Sequence, residues 1–234
     1  MTEKHFPSLD LTYREHRLPN GLLIRGIQTP GFSRIHGLIL LNYGSADLDF
    51  TFHDKVCHTP PGIAHYLEHK TFDLPEGNAS ELFSALGATD NAFTTYDRTA
   101  YYFDTTERGE ECLSLLLRMV FTPWFTQETV DKEREIIAQE IRMYEDNPGS
   151  VAFDALTAHS LSHHPMRHPI AGTVESLGGI TPEHLRLCHD AFYCPANAVL
   201  CVMGDLPFEQ VLAAAERNTP KQYGKPGSHD RGSS

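Results

Sequence analysis

The sequence predicts an α+β fold: a layered sandwich in which a roughly six-stranded mixed, mostly antiparallel sheet packs against helices. Strand-like runs cluster in hairpins instead of alternating one for one with helices. Six or more segments carry helical periodicity with recognisable caps and stops. With 234 residues, 40% hydrophobic and 21% charged, the chain is long enough to bury one large core.

Residues 13–17, 22–27 and 35–42 read as strands, and Asn20-Gly21 supplies a hairpin turn between the first two. Residues 47–57 read as an irregular loop. Thr59-Pro60-Pro61 offers an N-cap followed by prolines suited to a first helical turn, opening a helix that runs to about Phe72. Residues 78–86 form a second helix ended by Gly87. Residues 90–96 and 99–104 read as a strand pair turning at Asp97-Arg98. An amphipathic helix over 107–121 is stopped by Pro123, and Thr126 caps a long helix to about Asn147, closed by Pro148-Gly149. A helix near 150–161 precedes a loop rich in His and Pro over 162–169. Thr181-Pro182 opens another helix, 197–203 is the final strand and 207–217 the last helix. Residues 1–218 are expected to form one domain, and 219–234, polar and rich in Gly and Pro, a disordered tail or linker.

The formal net charge of −12 argues against nucleic acid, whose phosphates need clustered Lys and Arg. No run of 18 apolar residues marks a membrane span, and the first ten residues lack a hydrophobic signal segment. The five cysteines are odd in number with no C-x-x-C pair, which suits reduced thiols. A cytoplasmic protein without membrane contact is expected.

The chemistry concentrates in two places. His65-x-x-Glu68-His69 lies in the helix after Pro61. Residues four apart on a helix are about 40° apart around its axis, so both imidazoles share a face, with Glu68 about 60° to the other side of His65. Two neutral imidazoles on one face suit Zn²⁺, and the adjacent carboxylate suits a base for an activated water. The order inverts HExxH. In the long helix, Val130, Ile137, Ile141 and Tyr144 form one stripe, with Ile136 and Met143 closing the arc beyond Glu133 and Glu140. Two carboxylates on an apolar face call for an ion pair or a metal. Either could complete a two-His, one-Glu catalytic site, and spacing alone does not choose between them. The histidines at 159, 163, 164 and 168 cross a Pro-containing loop and read as surface residues.

Three stretches, HYLEHKTF (65–72), NAFTTYDRTAYYFD (91–104) and KEREIIAQEIRMYEDNP (132–148), together resemble the insulinase/pitrilysin zinc peptidases, which include the mitochondrial processing peptidases. The stretch from His164 to Leu177, with its IAGTVESL, looks closest to the small bacterial branch. The resemblance implies a zinc endopeptidase acting on short or unfolded peptides. His65, His69 and Glu140 would be ligands for one Zn²⁺ per chain, Glu68 the general base, and Glu133 a supporting catalytic residue. Asn91 and Ala92 would hold a peptide backbone along a sheet edge, and Phe72 and Phe93 would line the pocket after the scissile bond. An open strand edge can accept an extended peptide, and Asn91, Phe93 and Thr95 share one strand face. The resemblance also implies a second homologous domain or subunit, for which this chain has no room. A non-catalytic scaffold or peptide-binding subunit of the same fold is the alternative.

Overall fold

A computed structural model describes residues 1–222 and 224–229. Its main sheet has seven strands: β1 (Thr2–Phe6), β2 (Leu11–Arg17), β3 (Leu23–Gln28), β4 (Ile35–Leu41), β9 (Thr89–Thr94), β10 (Thr99–Thr105) and β11 (Ala198–Gly204). The spatial order is β1-β2-β3-β11-β4-β10-β9, so β9 is an edge. Only β11 with β3 is parallel; every other neighbouring pair in this sheet is antiparallel. The expected α+β sandwich is present, with one strand more than expected.

Alternation explains the layering. Ile35, Ile39 and Leu41 of β4 are buried, as are Tyr101 and Phe103 of β10 and Leu200 and Val202 of β11. Their registers match: Ile39 stands opposite both Tyr101 and Leu200, so these side chains share one face. That face carries α2 (Ala79–Ala85), α3 (Gly109–Phe121) and α8 (Phe208–Asn218), while the alternate residues of β4, His36, Leu38 and Leu40, stay half-exposed.

Small strands complete the fold. β5 (Asp49–Phe52) and β6 (Lys55–His58) pair where an irregular loop was expected, around His53 and Asp54 at φ 49 and 61. β7 (Asp73–Leu74) and β8 (Gly77–Asn78) form a two-residue ladder, and β12 (Ser228–His229) pairs with β5. Thus residues of the expected tail lie against the domain: the Gly227 amide donates to Ala191 O, and the His229 ring lies 2.8 Å from Asp47 Oδ1. The rest of that expectation, at 223 and 230–234, falls outside the described residues.

The remaining helices are α1 (Ile63–Thr71), α4 (Gln127–Glu145), α5 (Pro148–Ser160), α6 (Val174–Leu177) and α7 (Pro182–Phe192). Among the boundaries that differ from expectation, two concern the helices around the site. Gly62, not Thr59, caps α1. Pro148 does not merely close α4; it opens α5 as its first residue, with Asn147 Oδ1 accepting from the amides of Gly149 and Ser150. No helix is long and apolar enough to cross a membrane among the described residues.

Candidate metal centre and active site

The site is built where α1 crosses α4 beneath the β9 edge. The entry to α1 is fixed by backbone packing. Gly62 sits at φ +91, and a Cβ there would stand 2.5 Å from the Ala171 carbonyl oxygen. Gly172, at φ +72, leaves as little room against Pro61. The Ser176 hydroxyl donates to Pro61 O at 2.8 Å. The IAGTVESL segment therefore acts as a buttress for the helix carrying the two histidines, a role not readable from the sequence. On its far side, the buried Tyr66 hydroxyl donates to the Val130 carbonyl and ties α1 to α4. Arg134 of α4 donates in turn to the carbonyls of Leu177 and Ile180.

Across this crossing, Nε2 of His65 lies 3.7 Å from Oε1 of Glu140, and Nε2 of His69 lies 3.4 Å from Oε2. One potential ligand atom from each of the three residues lies within 4.8 Å of the others. Two nitrogen or oxygen ligands of a tetrahedral zinc, each at about 2.0–2.2 Å, stand roughly 3.4 Å apart. The donor set and its spacing therefore fit such an ion. Among the described residues, this is the one group of His, Cys, Asp and Glu that could hold a metal. Of the histidines expected at the surface, His159 and His163 are exposed, and His164 and His168 are half-buried.

Glu133 takes a different place. Its Oε1 is 2.9 Å from Nδ1 of His69, on the side of the ring away from Glu140. This separates the two glutamates that spacing left equivalent: Glu140 faces both imidazoles, and Glu133 braces one of them. Glu68 points to the sheet, where its Oε2 accepts a 2.6 Å hydrogen bond from the Thr94 hydroxyl of β9.

Electrostatics follow from burial. His65 is pushed down to about 4, first by desolvation and then by the neighbouring His69 charge. Its Nδ1 is buried without a hydrogen-bond partner among the described residues. For His69 burial opposes protonation, but hydrogen bonds with Glu133 and Glu140 outweigh it and raise the group to about 9. Glu140 is held down at about 2, chiefly by the His69 hydrogen bond, against burial and with help from Tyr144. Desolvation raises Glu68 above the usual carboxylate range, partly offset by Thr94.

A cleft of about 830 Å³ opens over these groups. Asn91, Ala92, Phe93 and Thr94 form one wall, α5 part of the other. Thr95 N–H donates to Arg98 O, so alternation along the antiparallel pair turns the N–H and C=O of Ala92 and Thr94 to the free edge. The Asn91 side chain accepts from the Ala92 amide at 2.8 Å, as expected of an amide with no strand partner. Phe93 is 41% exposed at the cleft. Phe72 departs from expectation: it is half-buried against the core, 6.0 Å between ring centroids from Tyr101, and does not line the cleft. Its position right after α1, where the chain turns into β7, directs it inward.

Thr94 and Tyr144 belong to the site although the sequence pattern does not single them out for it. Thr94 lies on the strand face opposite Asn91 and Phe93, the face turned toward α1. Its helical angle assigns Tyr144 to a packing stripe, but it is 42% exposed and donates to Glu140 Oε1 at 2.7 Å. Ile136 and Met143 are also exposed, so the glutamates border the buried stripe of Val130, Ile137 and Ile141 instead of lying within an apolar arc.

Residues 58–174, half the chain and containing the whole of this cluster, match the sequence profile of the insulinase family, peptidase family M16. The chain belongs to that family. Residues 179–232 also match the M16 profile described as the inactive domain. The M16 chain is 37% identical over 219 residues to the uncharacterized zinc protease YmfH of Bacillus subtilis, covering 93% of this chain and 51% of YmfH. It is 32% identical over 150 residues to the uncharacterized zinc protease YmxG of the same organism, covering 62% of this chain and 37% of YmxG. Among solved structures, an M16-like peptidase from Alicyclobacillus acidocaldarius superposes with a TM-score of 0.89 at 38% identity, over 98% of this chain and 54% of that one. Pitrilysin shares the fold, with a TM-score of 0.78 at 20% identity, over 93% of this chain and 24% of its own length. The chain thus spans about half the length of YmfH and of the Alicyclobacillus peptidase, and less of YmxG and pitrilysin.

Proposed function

We propose that this chain is the metal-binding half of a zinc-dependent endopeptidase that cleaves short or unfolded peptides. The observation that carries the reading is the convergence of His65, His69 and Glu140 at zinc-ligand spacing in a cleft walled by an open strand edge. The names of the similar zinc proteases support zinc as the metal, and the single three-residue cluster among the described residues supports one ion per chain.

In this reading His65, His69 and Glu140 hold the ion, which when bound supplies Lewis-acid polarisation of a peptide carbonyl and a more acidic water. Glu133 accepts the Nδ1 proton of His69 and so keeps Nε2 free as a donor to the metal. Glu68, one oxygen held by Thr94, is placed to take a proton from the attacking water and return it to the leaving amine. The outward N–H and C=O of Ala92 and Thr94 extend the sheet by one peptide strand, with Asn91 releasing the Ala92 amide to it. Backbone pairing reads extended chain without demanding a sequence, and Phe93 offers an apolar contact on the same edge.

Full activity in this reading requires a second homologous domain or subunit. Helix α5 supports that requirement: it is rich in apolar residues, yet none of its residues is buried. Val151, Phe153 and Leu156 are 47%, 51% and 62% exposed. An apolar helix with no cover is an unfinished surface, and YmfH, of which this chain matches about half, has the length for a second half that could cover it. Five unpaired cysteines support a cytoplasmic location.

A non-catalytic peptide-binding subunit is favoured by one observation, the inactive-domain match over 179–232. Hydrolysis of an unstructured peptide by this chain joined to a homologous second half separates the two readings. A chelator should stop cleavage, zinc should restore it, and Glu68→Gln should keep the metal but lose turnover. Binding of the peptide without cleavage in the reconstituted protein would favour the scaffold.

A further inference from the structure

The two oxygens of Glu140 are in different surroundings. Oε2 faces Nε2 of His69 at 3.4 Å. Oε1 faces Nε2 of His65 at 3.7 Å and also accepts the Tyr144 hydroxyl at 2.7 Å. Tyr144 stands one helical turn beyond Glu140 and lines the same cleft. Packing does not account for it. Ile137 and Ile141 of the same helix are 0% and 4% exposed, whereas Tyr144 is 42% exposed.

A carboxylate turning about its last side-chain torsion can present either oxygen, or both, to a metal. A hydroxyl donor on one oxygen selects one rotation and leaves the other oxygen with its lone pairs free. Outer hydrogen bonds of this kind orient ligands and tune their strength. Glu133 already does this for His69 from the same helix.

We propose that Tyr144 is a positioning residue of the metal centre, its hydroxyl fixing the Glu140 carboxylate so that Oε2 is the oxygen presented beside His69. The inference rests on the metal-centre reading above and deepens it. Helix α4 then delivers one ligand and the hydrogen-bond partners of two ligands, from positions 133, 140 and 144 along a single face. The tyrosine acts through Glu140 and requires no contact with substrate.

The test is zinc affinity of the 234-residue chain, measured by competition with a chromophoric chelator, together with the visible spectrum of the Co²⁺-loaded form. Tyr144→Phe keeps the ring and removes only the donor. It should weaken zinc binding by about 10–100-fold and alter the cobalt bands, with the unfolding midpoint of the metal-free chain unchanged. Met143→Ala, at the exposed neighbouring position, should leave both readouts at the wild-type value. Equal zinc affinity and identical cobalt spectra in wild type and Tyr144→Phe overturn the role of Tyr144 and leave the ligand set standing. A wild-type chain that binds no zinc overturns the ligand set, and the inference with it.

Discussion

Glu133 Oε1 lies 2.9 Å from Nδ1 of His69, while Glu140 Oε2 lies 3.4 Å from Nε2 of the same ring. One imidazole is thus held between two carboxylates seven residues apart on α4, and only one of them also faces His65. The arrangement predicts unequal mutants. Glu133→Gln should weaken zinc binding by about 10–100-fold, the usual cost of losing an outer partner. Glu140→Gln should exceed that range, because a ligand is lost. Isothermal titration with zinc checks the order, and the reverse order would exchange the two roles.

Thr94→Val tests the hold on Glu68. Removing the 2.6 Å hydrogen bond leaves the carboxylate without its partner in the sheet. A hydrogen bond to a charged group contributes about 1.5–3 kcal/mol, so turnover in the reconstituted enzyme should fall roughly 10–100-fold while zinc content stays at one per chain. Unchanged turnover would show that Glu68 is placed by α1 alone.

Gly62→Ala tests the buttress under α1. The substitution forces a Cβ onto a residue at φ +91 and against the Ala171 carbonyl. The backbone penalty alone is about 1–2 kcal/mol, and the overlap adds to it. A urea midpoint should fall accordingly, with zinc affinity falling too because His65 and His69 ride on this helix.

Stability should depend on pH through His189, a buried residue of α7. Its Nε2 lies 3.0 Å from the Val120 carbonyl of α3, and its ring stacks on Tyr193 and meets Phe125 edge-on, with Arg186 nearby on α7. Burial first, opposed by the Val120 hydrogen bond and aided by the Arg186 charge, lowers it from 6.5 to about 4. The neutral ring is the form the fold accepts, whereas the unfolded chain takes up a proton near 6.5. The contribution is therefore complete above 6.5 and lost as pH falls toward 4, about 3 kcal/mol over that window. Denaturant midpoints measured from pH 7 to 4 should fall more steeply in wild type than in His189→Gln. Parallel curves would contradict this.

Much of the site was legible because it lies in regular elements. The i, i+4 spacing of His65 and His69 survives folding, since a helix preserves angles whatever packs around it. The seven-residue spacing of Glu133 and Glu140 put both on one face, but only the tertiary crossing of α1 and α4 shows which one faces both histidines. Features set by long-range contact stayed hidden. Strand β11 inserts between β3 and β4 from far along the chain, and the 171–172 segment supports α1 through backbone contacts that leave no side-chain pattern. Strand β1 is exposed throughout, so it shows no alternation of buried and exposed positions. The β5–β6 hairpin turns on His53-Asp54, not on the Asn-Gly pair that usually marks such turns. Tyr144 looked like core because its angle matched the stripe; near the end of α4 the core has stopped, and the same angle points into the cleft.

The central claim is that the His65, His69 and Glu140 side chains share one ion. Elemental analysis of the zinc-reconstituted chain tests it most directly: wild type should carry one zinc per chain, and His65→Ala and His69→Ala essentially none. Equal zinc content in wild type and both variants, or no stoichiometric zinc in wild type, would contradict it.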